Sequence, residues 1–187
     1  MQALSKSTAK YSSQLIRPTA DRAREALFNI IGREVENATV LDLYAGTGAL
    51  GLEALSRSAE QAVFVDKSQQ AVQLINKNIE LCGFSDRTLV YKWDLSKGLS
   101  YLVKKIPGTT FSIVFVDPPY RKGLSVDMLL KLAESELLFP GALVVVEEDA
   151  FMELPVQVAG LTLADQRRYG ETGFWFYRQS KLLQKSI

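Results

Sequence analysis

The stretch Leu41-Asp42-Leu43-Tyr44-Ala45-Gly46-Thr47-Gly48-Ala49-Leu50-Gly51 decides how this chain folds. It runs from an apolar, strand-like segment through a glycine loop into a helix start rich in alanine and leucine. Strand, tight glycine turn and helix, in that order, open a βαβ unit. The rest of the chain repeats the alternation. Strand-like runs occupy Thr39–Tyr44, Gln61–Asp66, Thr88–Trp93, Ser112–Asp117 and Ala142–Glu148, and helix-like runs occupy Ala49–Ser58, Gln69–Leu81, Ser96–Lys105 and Leu124–Glu136. Alternation at this spacing implies a parallel sheet with right-handed crossovers. After Glu148 it stops: Leu161–Tyr169 and Thr172–Arg178 flank a short Gly170-Glu171 turn, a hairpin pattern. The expected fold is α/β, a single domain with a mostly parallel seven-stranded sheet, a C-terminal antiparallel hairpin and helices on both faces.

Residues 1–16 are polar and rich in serine, lysine and glutamine, and read as a flexible basic segment ahead of a domain over 17–187. Arg17-Pro18-Thr19 opens a helix, because proline presets φ and threonine can cap. Ala23, Leu27, Ile30 and Ile31 make its apolar stripe, and Gly32 suits its stop. Arg17, Arg22 and Arg24 lie at or near its start, where the macrodipole does not favour cations. That placement suits a ligand-facing role, with solvated surface the equal alternative. Both ends of the chain are basic, with five basic residues against one acid over 1–24 and five against two over 165–187, while the whole chain carries only +1.

A single cysteine, Cys82, excludes an internal disulfide, and its position in an apolar helical pattern reads as core. The absence of histidine excludes histidine triads and, with one cysteine, no metal site is expected. No apolar run has the length of a membrane span and the N-terminus lacks a signal-peptide apolar region, so the expected location is cytoplasmic.

Open parallel sheets bind ligands at the carboxyl ends of their strands. Gly46, Gly48 and Gly51 satisfy G-x-G-x-x-G, which lets the backbone approach a ligand closely. Asp42 stands beside that loop, where a carboxylate opposes a pyrophosphate and favours a cation. The loop therefore suits S-adenosylmethionine, with its sulfonium and ammonium, better than NAD. Asp66, 18 residues after Gly48, ends the second strand and can accept both ribose hydroxyls of either cofactor. Asp94 follows the third strand and can accept from an adenine amine. The fourth strand runs into Asp117-Pro118-Pro119-Tyr120, where the prolines end the ladder. A carboxylate, prolyl carbonyls and an aromatic face then share one rim, a set suited to a flat ring bearing an amino group.

Together these residues resemble class I S-adenosylmethionine-dependent methyltransferases. Asp117-Pro118-Pro119-Tyr120 resembles the (Asp/Asn)-Pro-Pro-(Tyr/Phe) motif of enzymes that methylate exocyclic amines of bases. The chain is most similar to the RsmD family, bacterial guanine-N2 methyltransferases of 16S ribosomal RNA. The matching pieces are Arg17-Pro18-Thr19-Ala20-Asp21-Arg22, Glu25-Ala26-Leu27-Phe28-Asn29, the Asp42–Ser58 loop and helix, Phe115–Tyr120 and Tyr169-Gly170. That family usually begins with a glycine- and arginine-rich segment, whereas Lys10-Tyr11-Ser12-Ser13-Gln14-Leu15 is shorter, glycine-free and less basic. The resemblance implies a Rossmann-like domain binding S-adenosylmethionine through Asp42, Tyr44, Ala45, Gly46, Thr47, Gly48, Asp66, Lys67, Asp94 and Leu95. It implies catalysis at Asp117, Pro118, Pro119 and Tyr120, and substrate contacts from Arg17, Thr19, Arg22, Arg24, Lys122, Arg167 and Arg168. The implied partner is ribosomal RNA or an assembling small ribosomal subunit, with no membrane and no metal.

In this reading Asp117 and the Pro118 carbonyl accept the two N–H bonds of a guanine amine and stabilise the charge developing on nitrogen. Tyr120 stacks on the base and holds it in line. A DNA or RNA adenine-N6 methyltransferase shares Asp-Pro-Pro-Tyr, although DNA enzymes usually carry a target-recognition region for which no residues are left. A protein-glutamine methyltransferase usually has Asn at position 117. An NAD(P) oxidoreductase would use Gly46–Gly51 but give Asp42 and the 117–120 motif no purpose. A non-catalytic RNA-binding relic is a further alternative, against which stand cofactor and catalytic motifs that are both intact.

Overall fold

The computed structural model describes residues 21–120 and 122–180. The 1–16 segment, Arg17, Thr19 and the expected helix opening lie outside the described residues. Helix α1 covers 21–31, followed by β1 (Thr39–Leu43), α2 (Ala49–Ser56), β2 (Gln61–Asp66), α3 (Gln69–Cys82) and β3 (Thr88–Lys92). Then come α4 (Ser100–Lys105), β4 (Phe111–Val116), α5 (Leu124–Ala133) and β5 (Leu138–Asp149). Strands β6 (Gln157–Val158), β7 (Leu161–Tyr169) and β8 (Thr172–Gln179) close the described chain. One sheet holds all the strands in the order β3-β2-β1-β4-β5-β8-β7-β6. The first five pair in parallel, and β8, β7 and β6 continue antiparallel. The chain winds outward from β1 to β3, then returns to lay β4 against the other side of β1. Strand order reverses at that seam, the place where such sheets bind ligands.

The continuous apolar strands reflect burial on both faces. Alternate residues point to opposite faces. Leu41, Leu43, Val114, Val116, Val144 and Val146 pack with Leu102 of α4 and Met128, Leu129 and Leu132 of α5. Val40, Phe64, Phe115 and Val145 pack with Leu27, Phe28 and Ile31 of α1, Leu55 of α2, and Ile75 and Ile79 of α3. Among the described residues, no helix is long and apolar enough to cross a membrane.

The structure departs from the sequence pattern at several points. It has an eighth strand beyond the expected seven: Gln157–Val158 folds back on β7 through Ala159 and Gly160, both at positive φ. Two residues are too few to show alternation. The helix expected over Ser96–Lys105 is split, because Gly98 adopts φ 87° and separates a 3-10 turn, Leu95–Lys97, from α4. Cys82 is exposed, not core, since α3 buries Ile75 and Ile79 and turns its C-terminal end outward. Ile30 is also exposed; Phe28 takes the inward place and meets Phe115 at a ring-centroid distance of 5.7 Å.

Candidate active site

A cavity of about 580 Å³ opens where β1 to β5 end, a volume in the range of small-molecule sites. Tyr44 enters from β1, Asp66 and Lys67 from β2, and Trp93, Asp94 and Leu95 from β3. Asp117, Pro118, Pro119 and Tyr120 enter from β4, Lys122 and Leu124 from the start of α5, and Glu147 from β5.

On the β1–β3 side the acids are pinned by backbone. Asp66 accepts from Gly46 N–H at 3.0 Å and Ser68 N–H at 2.8 Å, so one carboxylate joins the glycine loop to the start of α3. Thr47 is held by its carbonyl, which accepts from the Asn78 amide at 2.9 Å. Asp94 caps the turn after β3, accepting from Ser96 N–H at 3.1 Å. Bonds from Ser96 hold its carboxyl below the usual range, helped by Lys67 and Lys97. Leu95 is buried beneath it. Trp93, which the strand pattern did not single out as a site residue, is stacked on Tyr101 at 4.3 Å and 8° and presents itself to the cavity.

Asp42 sits lower than the other acids. It is buried, it does not line the cavity, and it accepts from Gly51 N–H at 2.9 Å. Desolvation raises its pKa to about 7, against the pull of the Gly51 bond. Ala45, Gly46, Thr47 and Gly48 likewise form the loop without lining the cavity. The third glycine has a packing reason: a Cβ on Gly51 would lie 2.3 Å from Phe64 Cε1. Only a bare backbone lets α2 come this close to β2.

The β4–β5 side is different. Val116 pairs with Val146 in parallel register, so the next residues, Asp117 just past the end of β4 and Glu147 near the end of β5, lie side by side. Both are half-buried and both line the cavity. Desolvation, then the charges of Glu147, Asp42 and Glu148, push Asp117 up to about 8. Desolvation also raises Glu147, opposed by the Tyr120 hydroxyl, which donates to Glu147 Oε1 at 2.8 Å. Among the described residues no donor reaches the Asp117 carboxylate. The next acid along β5, Glu148, points to the opposite face and accepts from the buried Ser125 hydroxyl at 2.9 Å. Sequence reading missed Glu147. Its signal was an acid ending the Val144-Val145-Val146 run, beside the strand that carries Asp117.

The basic residues divide. Lys122 is exposed at the cavity mouth. Arg22 is exposed on α1. Arg24 pairs with Asp21 at 3.1 Å and approaches Glu53 at 4.0 Å, beside a separate shallow depression. Arg167 pairs with Asp165 at 2.9 Å. Arg168 donates to the Ala150 carbonyl and lies over the exposed Phe151 ring at 4.7 Å. Apart from Lys122, none of these lines the cavity. Among the described residues, no group of three or more Cys, Asp or Glu could hold a metal ion.

A doubly wound sheet with a glycine loop after β1, acids closing β2 to β4 and an Asp-Pro-Pro-Tyr rim is the architecture of class I methyltransferases. An RNA methyltransferase from Salinibacter ruber, solved with S-adenosyl-L-homocysteine, shares this fold at a TM-score of 0.64 and 15% identity, covering 89% of this chain and 95% of that one. The family model described as conserved hypothetical protein 95 matches residues 3–178, and the chain belongs to that family, the RsmD family. YlbH of Bacillus subtilis is 35% identical over 163 residues, 87% of this chain and 88% of the relative. Ribosomal RNA small subunit methyltransferase D of Escherichia coli K12 is 36% identical over 164 residues, 88% of this chain and 80% of the relative. The solved structure of a conserved hypothetical protein from Streptococcus pyogenes superposes with a TM-score of 0.75 at 33% identity, covering 84% of this chain and 95% of that one.

Proposed function

We propose that this chain transfers a methyl group from S-adenosylmethionine to the exocyclic N2 amine of a guanine in small-subunit ribosomal RNA. One observation carries the reading. Asp117 and Glu147 stand side by side at a cavity wall, and only the Tyr120 hydroxyl donates to the pair among the described residues. Unpaired acceptors at a ligand site suit a substrate rich in N–H donors. The kinship with small-subunit ribosomal RNA methyltransferase D supports ribosomal RNA as the target and the cytoplasm as the place of action.

The donor set fits the cofactor. Asp66, held by two backbone N–H groups, keeps lone pairs for ribose hydroxyls. Asp94 offers an acceptor to an adenine amine, and Trp93 an aromatic wall. The acidic rim favours a cationic ligand, and Tyr44, Ala45, Gly46, Thr47, Gly48, Lys67 and Leu95 complete the set around the loop. Asp42 contributes from below, fixing the start of α2 to the end of β1 through Gly51. When bound, S-adenosylmethionine supplies an electrophilic methyl group.

The chain's own residues do the rest. Asp117 and the Pro118 carbonyl accept the two N–H bonds of the guanine amine, whose lone pair is otherwise delocalised into the ring. They stabilise the positive charge that develops on nitrogen, and Asp117 is placed to accept the departing proton. Tyr120, with its hydroxyl tethered to Glu147, offers a ring face for the base. Pro119 is exposed at the same rim and closes it. The base must leave its stack to enter. Lys122, with Arg22, Arg24, Arg167 and Arg168 further out, supplies cations for phosphates, and Arg17 and Thr19, outside the described residues, are further candidates for RNA contact.

The test is a methylation map of small-subunit ribosomal RNA from a strain lacking the gene. One N2-methylguanosine is expected to be missing and to return when purified protein and S-adenosylmethionine are added to those subunits. An unchanged map overturns the reading, and loss of an N6-methyladenosine instead favours the adenine alternative.

A further inference from the structure

Guanine and adenine differ where the exocyclic amine meets the ring. Guanine carries N1–H, a donor, next to its N2 amine; adenine carries N1, an acceptor, next to its N6 amine. Asp-Pro-Pro-Tyr alone grips an amine and does not tell these neighbours apart. Another residue in the cavity has to.

We propose that Glu147 is that residue: it accepts N1–H of the target guanine while Asp117 and the Pro118 carbonyl accept the amine. The inference rests on the guanine reading above and assigns its specificity. The parallel register sets Glu147 beside Asp117, one strand spacing away, about 4.8 Å. That suits two acceptors reading adjacent atoms of one base edge. Glu147 lines the cavity, whereas Glu148 is turned to the other face and bonded to Ser125. The Tyr120 hydroxyl occupies one position on Oε1 and fixes the carboxylate's orientation. A carboxylate offers about four lone-pair sites, so acceptor capacity remains. The same contact ties the stacking ring to the edge reader, so the base would be held by face and edge through one hydrogen-bonded pair. An adenine in this pose would set its N1 lone pair against a carboxylate, an unpaired and repulsive contact that rejects the wrong base.

The test uses small subunits reconstituted with RNA carrying either guanine or 2-aminopurine at the methylated position. 2-Aminopurine keeps the 2-amine and replaces N1–H with an acceptor. Wild-type protein is expected to favour guanine by at least about 100-fold in kcat/KM. In Glu147→Gln the ratio is expected to shrink below about tenfold, because a glutamine amide can turn its NH2 toward the acceptor. S-adenosylmethionine affinity should stay within about twofold of wild type, which reports an intact fold. A Glu147 that only buttresses Tyr120 would lower both rates together, as Tyr120→Phe would, and leave the ratio unchanged; that result overturns the proposal. So does a wild-type protein that uses both bases equally, whether or not the variant folds. Wild-type protein that methylates no guanine overturns the underlying function instead.

Discussion

The two halves of the cavity rim use the same kind of side chain in opposite ways. Toward β2 and β3, Asp66 accepts from two backbone N–H groups and Asp94 from one. Toward β4 and β5, Asp117 and Glu147 lie next to one another, and a single tyrosine hydroxyl serves the pair among the described residues. Backbone donors stabilise a carboxylate and lock its position, so the first half is finished before any ligand arrives. The second half is left short of donors and its carboxyls resist ionisation, a cost that folding bears and a ligand with N–H groups relieves. Under the proposed function, the contrast separates a half that receives the cofactor's hydroxyls and cation from a half that is completed by a base.

The sharpest way to break this contrast is Asp117→Asn. Methyl transfer is expected to fall about 100- to 1,000-fold, with cofactor affinity, read by titration calorimetry, almost unchanged. The same change should stabilise the protein. A carboxyl raised from 3.8 to about 8 by folding contributes stability that is complete below pH 4 and is lost as pH rises toward 8. The variant escapes that loss, so its Tm should exceed wild type by a margin that widens from pH 5 to pH 8. A Tm gap that stays flat with pH would show that Asp117 is not strained. Wild-type kcat/KM should rise over the same window as Asp117 becomes an acceptor.

On the finished half, Asp66→Ala should weaken cofactor binding about 10- to 100-fold by releasing the Gly46 and Ser68 amides, without the stability gain expected at Asp117. If Asp66→Ala stabilised the protein as Asp117→Asn does, the two halves would not differ. Gly51→Ala tests the packing beneath the rim, because the new methyl meets the Phe64 ring. Overpacking there should cost about 1–3 kcal/mol, read as a lower thermal midpoint, and pull α2 off Asp42.

How much of this was legible depended on whether a residue's role lay within one element or between two. Asp66, Asp94 and Asp117 each close a strand whose apolar run announces itself, so their place at the rim could be read directly. Glu147, Glu148 and Asp149 form a row of acids on one strand, and which one faces the cavity depends on the register of β5 with β4 and on the partner waiting at Ser125. No local pattern carries that. Asp42 was legible as an acid beside the loop, but its direction was set by Gly51 on the next helix. Trp93 read as a strand end because its stacking partner, Tyr101, comes from α4. Cys82 and Ile30 were misplaced where a helical stripe was drawn one residue too wide.

Asp117 N–H donates across the seam to the Leu43 carbonyl at 3.4 Å, and β1 meets β4 along the whole of that edge. Everything assigned to the methyl donor's side of the cavity precedes residue 96, and the Asp-Pro-Pro-Tyr segment and Glu147 follow residue 116. A cut in the 107–110 loop would therefore yield two fragments, each carrying half of a chemistry and an exposed central strand edge. Neither could work alone, and the zippering of one strand pair would be what turns two inert peptides into an enzyme.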